Sequence, residues 1–213
     1  MGLGARKYWV RGHQKYLELS WIDKPSIFAT QIIKYFPERG TLLDLGAGQG
    51  QDSRYFAEKG YKVLCTDFSD FALKIAKEKA EKQKLNINFL NVDISKKFPI
   101  KTGEFDIVYS HLGLHYWNEE VTHKIFEEIY RVSKPGGIVA ALFNSQSDPE
   151  IKEFKKIEEN LYYDPKGLLK SYFTSDYLKK FIKNKFDIVL LDDLGETYKD
   201  EIKTLVRFVG KKT

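Results

Sequence analysis

Three glycines at alternate positions follow a short apolar segment and are the residues best placed to do chemistry. Gly46, Gly48 and Gly50 come after Leu-Leu-Asp-Leu at 42–45, with Asp44 just before the first glycine. Glycine lets the backbone turn tightly and approach a ligand with no Cβ in the way. The spacing misses the dinucleotide-binding pattern G-x-G-x-x-G, because the third glycine comes one residue early. An acid before the glycines would repel a pyrophosphate and suits a ligand with a cationic amino group.

Further polar residues stand at the ends of other predicted strands: Asp67-Phe68, Asp93-Ile94 and Ser110-His111. Ligands of open α/β sheets bind outside the carboxyl ends of the strands, so we expect these residues to lie together. An acid at position 67 can accept hydrogen bonds from both hydroxyls of a ribose. That role also exists in dinucleotide enzymes. The alternative to ligand binding is that Asp67 and Asp93 only cap turns at the ends of their strands.

The elements that would position these residues alternate regularly between strand and helix. Apolar runs predict strands at 41–45, 61–66, 87–92, 105–110 and 138–143. Helical spacing of apolar residues predicts helices at 22–36, 51–59, 69–84 and 118–133, with Asp23 or Ser69 as caps and a turn at 135–137. Such alternation indicates a parallel sheet with right-handed crossovers. After residue 144 we predict helix and loop over 148–187, then strands at 186–192 and 205–211.

With this layout, the D-x-G-x-G-x-G loop resembles that of the class I S-adenosylmethionine-dependent methyltransferases over roughly residues 40 to 211. The segments 173–178 and 207–212 look like the tellurite-resistance-like, small-molecule branch. The resemblance implies an α/β fold with a Rossmann-like, doubly wound, seven-stranded sheet, mostly parallel with an antiparallel last strand and helices on both faces. It also implies a single domain over 1–213: a helical lid or substrate segment at 1–40, a cofactor-binding half at 41–144, and acceptor-side helices and closing strands at 145–213.

The same resemblance implies S-adenosylmethionine as the cofactor and S-adenosylhomocysteine as its product. Asp67 would hold the ribose, and Asp93 would accept the adenine amino group. Asp44 would order the glycine loop or contact the methionine amino group. The full set of cofactor-binding residues expected on this basis is Asp44, Gly46, Ala47, Gly48, Asp67, Phe68, Asp93, Ile94 and Ser110.

Methyl transfer itself demands little of side chains, because in-line alignment of nucleophile, methyl and sulfur gives much of the rate. A base is required when the acceptor must first lose a proton. We take His111 as the candidate base, while packing is the simpler role for His115. No third ligand completes a metal site with these histidines, so none is expected. The residues expected to bind the acceptor are Tyr8, Trp9, His115, Tyr116 and Trp117, although the N-terminal segment could instead be an amphipathic helix packing on the sheet.

Composition excludes some classes of function. The chain has 213 residues, 42% of them apolar and 31% charged, and a single cysteine. No apolar run reaches the roughly 20 residues of a membrane span, and no signal-like apolar segment follows the first residues. The net charge of +5 is concentrated near the two ends, with the middle of the chain balanced. We therefore expect a cytoplasmic protein with no membrane or nucleic-acid partner; the oligomeric state stays open.

Three functions remain to be weighed. The first is methyl transfer to a small molecule by in-line displacement in a desolvated pocket. The second is a methyltransferase for RNA, DNA or protein, although the Asn/Asp-Pro-Pro-Tyr element typical of base-amine methylation is absent after the fourth strand, where Ser-His-Leu-Gly stands. The third is an NAD-dependent oxidoreductase or a non-catalytic nucleotide-binding scaffold. The glycine spacing and Asp93 argue against a dinucleotide ligand, and the scaffold stays open.

Overall fold

The computed structural model describes residues 3–19, 21–198 and 204–213. Its helices are α1 (Leu3–Tyr16), α2 (Ile27–Ile32), α3 (Gln51–Glu58), α4 (Asp70–Lys82), α5 (Glu119–Val132) and α6 (Ser175–Ile182), with 3-10 turns at Ile33–Tyr35 and Pro149–Glu153. Its strands are β1 (Thr41–Leu45), β2 (Lys62–Asp67), β3 (Ile87–Asn91), β4 (Phe105–His111), β5 (Ser133–Phe143), β6 (Lys155–Glu158), β7 (Leu161–Tyr163), β8 (Leu169–Ser171), β9 (Phe186–Gly195) and β10 (Leu205–Lys212).

Seven strands form the central sheet, in the order β3-β2-β1-β4-β5-β10-β9. The first five strands pair in parallel, and β10 runs antiparallel to both of its neighbours. Two clusters of buried apolar side chains cover the two faces of this sheet, which explains why its inner strands are continuous apolar runs. The fold class predicted from the sequence is therefore confirmed, including the antiparallel last strand.

Two local elements differ from the sequence prediction. The helix expected at 22–36 is only the short α2 followed by a 3-10 turn. The N-cap of α2 is Ser26 rather than Asp23, because the Ser26 hydroxyl accepts a hydrogen bond from the N–H of Ala29 at 3.0 Å. The turn expected at 135–137 lies within β5, where Gly136 has φ +72° and the pairing with β4 shifts register. Glycine permits a bulge at this point, and β5 pairs with β4 on both sides of the bulge.

Residues 155–171 contradict the prediction of helix and loop. They form a second sheet of three antiparallel strands in the order β6-β7-β8. The segment that follows is held to the central sheet by a bridge between Ser145 and Phe173, and Tyr172 is fully buried beside it. The segment 145–213 thus contains a small sheet where helix and loop were expected, and α6 is the one helix that follows it among the described residues.

Helix α1 occupies the N-terminal part of the segment expected to be a lid. Residues of α1 line the two cavities described below. The helix is held to the glycine loop by a hydrogen bond from the side-chain amide of Gln49 to the carbonyl oxygen of His13, at 2.8 Å. In the part of the chain that the structure describes, none of the helices combines the length and apolar character needed to cross a membrane.

Candidate active site

The glycine loop follows β1, and its three glycines all have a left-handed backbone, with φ of +70° at Gly46, +56° at Gly48 and +69° at Gly50. Other residues rarely adopt these angles, which is why the sequence uses glycine here. A Cβ on Gly50 would lie 3.0 Å from the Cβ of Ala76, so the third glycine lets the start of α3 pack on α4. The first two glycines instead leave bare backbone along a crevice.

That crevice is bounded by the ends of β1 to β4, as the sequence predicted. Asp67 and Asp93 both line it, together with Phe68 and Ile94. The two acidic residues expected to hold an adenosyl group therefore line a common cavity. The residues that line it are Trp9, His13, Gly46, Gly48, Asp67, Phe68, Val92, Asp93, Ile94, Leu112, Gly113, Tyr116 and Trp117.

Asp67 ties the glycine loop to the end of β2. Its carboxylate accepts the N–H of Gly48 at 2.9 Å and the N–H of Ser69 at 2.9 Å. Only 5% of the residue is exposed, and this burial raises the pKa of its carboxyl to about 6 in spite of those hydrogen bonds. The ionised carboxylate of Asp67 is therefore poorly solvated at the crevice wall. A ligand that donates hydrogen bonds to it would stabilise the ionised form.

Asp93 caps a turn, which was one of the two roles considered for it from the sequence, and it also lines the crevice, as the other role, adenine binding, would require. One of its oxygens accepts the hydroxyl of Ser95 at 2.6 Å and the N–H of Ser95 at 3.1 Å, which is the turn-capping arrangement. The residue nevertheless lies on the crevice wall between Val92 and Ile94. The turn therefore orients this carboxylate rather than removing it from the site.

Three residues expected to bind the cofactor do not line the crevice. Asp44 is 1% exposed and accepts the hydroxyl of Ser53 at 2.6 Å, and burial raises the pKa of its carboxyl well above the usual range. The N–H of Ala47 donates to the carbonyl of Thr66 at 2.8 Å. The hydroxyl of Ser110 donates to the carbonyl of Leu45 at 2.7 Å. These three hydrogen bonds hold the glycine loop and the strand ends beside it in place.

Helix α1 closes the crevice from above. A Cβ on Gly48 would lie 3.1 Å from Cε1 of His13, so the imidazole rests directly on the glycine loop. Trp9 meets the ring of Tyr116 edge-to-face at 5.4 Å. The crevice has a cavity volume of about 70 Å³, and Trp9 and His13 form its wall on the side of α1.

His13 was not expected at the site, since no sequence pattern marks it. Burial lowers its pKa to about 4, so the imidazole is neutral near pH 7. Its Nδ1 is buried and has no hydrogen-bond partner among the residues that the structure describes. An unpartnered buried nitrogen costs free energy, which makes this closed position easier to leave.

A second, larger cavity of about 950 Å³ adjoins the crevice. Trp9, Leu112 and Tyr116 line both cavities and form the partition between them. Leu112 has φ +56°, a conformation that is uncommon for leucine and often marks functional sites. The size of this cavity suits a small organic molecule.

The candidate base and most of the expected acceptor residues lie at the larger cavity. His111 and His115 line it, as do Tyr8, Trp9 and Tyr116, whereas Trp117 lines the crevice instead. Burial lowers the pKa of both histidines, with Lys170 lowering that of His115 further. Nε2 of His111 and Nδ1 of His115 are buried without hydrogen-bond partners in the described part of the chain. Each imidazole is therefore neutral near pH 7.

The larger cavity also contains charged residues that sequence reasoning missed, on the segment that contains the small sheet. They are Asp148, Glu150, Asp164 and Lys170. No motif marks them, because only the folding of β6 to β8 against the central sheet brings them to the cavity. Across the described residues, no three His, Cys, Asp or Glu side chains come together in a way that could hold a metal ion.

A sheet of this order, with a glycine loop and two carboxylates at one crevice, defines the class I methyltransferase fold. Comparison with known proteins agrees with this fold: residues 42–137 match the model of a methyltransferase domain. This match supports the resemblance to the class I S-adenosylmethionine-dependent methyltransferases that the sequence predicted.

Relatives and solved structures agree with this assignment. The chain is 30% identical over 120 residues to malonyl-[acyl-carrier protein] O-methyltransferase of Enterobacter lignolyticus, covering 55% of this chain and 45% of the relative. It is 35% identical over 127 residues to demethylmenaquinone methyltransferase of Lactococcus lactis, covering 58% and 48%. The chain thus spans about half the length of these curated relatives.

A solved structure shares the fold over nearly the whole chain. It is the 1,6-didemethyltoxoflavin-N1-methyltransferase of Burkholderia thailandensis, with a TM-score of 0.78, 18% identity, and coverage of 99% of this chain and 88% of that one. That structure contains bound 1,6-didemethyltoxoflavin and S-adenosylhomocysteine.

Proposed function

We propose that this protein transfers a methyl group from S-adenosylmethionine to a small-molecule acceptor in the cytoplasm. One observation carries the proposal: the crevice lined by the glycine loop, Asp67 and Asp93 shares a wall with a cavity of about 950 Å³. A cofactor and an acceptor in these two spaces would meet at Trp9, Leu112 and Tyr116. In-line transfer requires such a meeting point.

The residues of the crevice fit S-adenosylmethionine. Asp67 offers carboxylate oxygens to the ribose hydroxyls, and Phe68 and Ile94 offer apolar surface to adenine beside the acceptor oxygens of Asp93. The bare backbone at Gly46 and Gly48 admits the remainder of the molecule. Asp67 is ionised above its pKa of about 6, and its charge beside the loop disfavours a pyrophosphate. When bound, the cofactor supplies an electrophilic methyl group on a positively charged sulfur.

The chain's own contribution is to align, to exclude water and to accept a proton. Closure of α1 places Trp9 and His13 over the crevice, which keeps solvent from the reacting atoms. The aromatic side chains at the partition tolerate positive charge at the methyl group. His111, which burial keeps neutral, takes a proton from the acceptor where the acceptor must lose one.

The comparisons support a small acceptor. The named relatives and the toxoflavin enzyme are methyltransferases, two of them for small metabolites and one for a group on a carrier protein. An acceptor cavity walled by α1 and the small sheet leaves less room for a nucleic acid strand. A protein or RNA acceptor is the second candidate. Methylation of a macromolecule, with no methylation of any small acceptor tested, would favour it.

Calorimetry with S-adenosylmethionine, S-adenosylhomocysteine and NAD tests the proposal. We expect the first two to bind and NAD not to bind. Replacing Asp67 by Ala should weaken cofactor binding by about 1.5 to 3 kcal/mol, the range for hydrogen bonds to a charged group. Replacing His111 by Ala should lower turnover and leave cofactor affinity unchanged. Preferred NAD binding would overturn the proposal, and cofactor binding without turnover on any acceptor would indicate a non-catalytic scaffold.

A further inference from the structure

Helix α1 places two polar nitrogens without partners at the crevice. Trp9 and His13 are one helical turn apart, both line the crevice, and their ring centroids are 5.8 Å apart. The indole nitrogen of Trp9 and Nδ1 of His13 are buried and have no hydrogen-bond partner among the residues that the structure describes. Buried polar atoms are nearly always paired, so two such atoms on one wall point to a ligand that pairs with them.

The imidazole of His13 is fixed against the glycine loop. A Cβ on Gly48 would lie 3.1 Å from Cε1 and 3.9 Å from Nδ1 of His13, so both atoms lie beside the bare backbone of that glycine. The residue is only 5% exposed, and its carbonyl oxygen accepts the side-chain amide of Gln49. A ligand that runs along the glycines therefore comes within reach of Nδ1.

The order of the strands indicates which part of the cofactor runs there. In the proposed function, Asp93 after β3 meets adenine and Asp67 at the end of β2 meets the ribose. The next strand in the sheet is β1, and the glycine loop follows it. The methionyl segment continues from the ribose on the side away from adenine. It is therefore the part of the cofactor that lies along Gly46 and Gly48, against α1.

The chemistry of the two nitrogens suits the end of that segment, where one carbon carries an ammonium group and a carboxylate. Nδ1 of a neutral imidazole accepts a hydrogen bond when the proton is on Nε2, whereas an indole nitrogen only donates. An acceptor and a donor side by side match the two groups of an amino acid. Burial alone lowers the pKa of His13 to about 4, with no charged side chain contributing. A zwitterion, whose charges cancel, is less costly to bury in such surroundings than a group with net charge.

We propose that α1 binds the amino-acid end of S-adenosylmethionine, with Nδ1 of His13 accepting a hydrogen bond from the ammonium group and the indole N–H of Trp9 donating one to the carboxylate. This inference rests on the proposed methyltransferase function. Both buried nitrogens then gain partners from the ligand. The two residues are cofactor ligands as well as parts of the wall, so the cofactor itself holds α1 against the crevice.

Three ligands that differ at this end test the proposal in the wild-type protein. They are S-adenosylhomocysteine, its decarboxylated analogue, which keeps the amine, and 5′-methylthioadenosine, which has neither group. Calorimetry should show the Kd rising by about tenfold or more at each loss, the effect of removing one hydrogen bond to a charged group. Equal Kd values for the three ligands would overturn the proposal. Binding of none of them would instead overturn the methyltransferase function itself.

A matched pair of variants isolates His13. Asparagine carries an oxygen close to the position of Nδ1, whereas leucine has a similar size and no acceptor. His13→Leu should raise the Kd of S-adenosylhomocysteine and of its decarboxylated analogue by about tenfold or more, and leave that of 5′-methylthioadenosine unchanged. His13→Asn should keep the wild-type order of affinities. An equal rise for all three ligands in His13→Leu would contradict the hydrogen bond, because lost packing weakens every ligand alike.

The same ligands isolate Trp9. Trp9→Phe keeps an aromatic ring facing Tyr116 but removes the N–H, so only S-adenosylhomocysteine, which has the carboxylate, should bind more weakly. An equal rise in the Kd of the decarboxylated analogue would overturn the role given to Trp9. Gln14→Ala is the control, because Gln14 is an exposed residue of α1 that does not line the crevice. Its Kd values should equal those of the wild type for all three ligands.

Discussion

Cofactor affinity should fall as the pH is lowered from about 8 to about 5, because Asp67 takes up a proton in this range. Burial raises the pKa of this carboxyl to about 6. Nearly every molecule is ionised at the upper pH, and about one in ten at the lower. Only the ionised form can accept both the N–H of Gly48 and a ribose hydroxyl. The apparent Kd should therefore rise about tenfold, which is about 1.4 kcal/mol.

Titration calorimetry with S-adenosylhomocysteine measures this effect without the charge of the sulfonium. The variant Asp67→Asn should bind weakly with the same Kd at every pH, and a 2′,3′-dideoxy ligand should also lose the pH dependence. His13 does not interfere, because its pKa of about 4 keeps it neutral throughout this range. A wild-type Kd that is the same at about pH 5 and about pH 8 would refute the reasoning.

The same carboxyl affects stability with the opposite sign. Its pKa is 3.8 when unperturbed and about 6 in the folded protein, so the folded state holds the proton more tightly. The contribution of Asp67 to the free energy of unfolding is fully present below about pH 3.8 and is lost as the pH rises through about 6. At about 1.4 kcal/mol per pH unit, the loss is about 3 kcal/mol. Denaturant unfolding without cofactor, compared with Asp67→Asn, measures it.

Three substitutions test the glycine loop and its supports. Gly48→Ala should cost about 1 to 2 kcal/mol of stability for its left-handed backbone, and should weaken S-adenosylhomocysteine binding because its Cβ would occupy the crevice side of the glycine loop. Gly167→Ala, with φ +77° and nothing within 4 Å of the new Cβ, is the control that should cost the same stability without changing affinity. Asp44→Asn should keep its serine hydrogen bond and leave affinity unchanged; weaker binding would show that its charge reaches the ligand. Ser110→Ala should lower the free energy of unfolding by about 1 kcal/mol and leave binding intact.

The cofactor-binding half could be predicted because its signals are local. A strand buried on both faces must be a continuous apolar run, and β1, β2, β4 and the later part of β5 are read directly from such runs. The glycine loop is equally local, since left-handed backbone at Gly46 and Gly48 requires that residue type. Residues at the carboxyl ends of parallel strands share one edge of the sheet, so the sequence alone predicts that Asp67 and Asp93 lie together.

The small sheet could not be predicted for the opposite reason. Strands of three or four residues, such as β7 and β8, carry too little periodicity to distinguish them from helix or loop. β6 is exposed along its whole length, so it lacks the apolar alternation that marks a strand. Its structure is decided by pairing with β7 and by the burial of Tyr172 nearby, which are contacts between residues that sequence spacing does not relate.

Side-chain direction limited the prediction of the site. Ser110 and His111 are adjacent at the end of β4, and successive side chains of a strand point to opposite faces. One therefore turns toward the carbonyl of Leu45 and the other toward the acceptor cavity. The sequence identifies the pair but not which member meets a ligand. His13 shows the same limit, since only the packing of α1 on Gly48 makes this solitary histidine part of the site.

Helix α1 couples the two cavities, because Trp9 belongs to both and Tyr8 and Tyr16 wall the acceptor cavity. We infer that Trp9 and His13 withdraw to admit the cofactor, which would also remove part of the wall of the larger cavity. An acceptor that bound first would lose contacts when the cofactor entered. We therefore expect ordered binding, with the cofactor first.

Calorimetry can test this order without turnover. An acceptor that the protein methylates should bind measurably only when S-adenosylhomocysteine already fills the crevice and α1 has closed over it. Trp9→Ala should weaken this dependence, because the partition is then no longer shared. An acceptor that bound equally well with and without S-adenosylhomocysteine would show that α1 is a fixed wall, and that the cofactor reaches the glycine loop by a path other than displacement of Trp9 and His13.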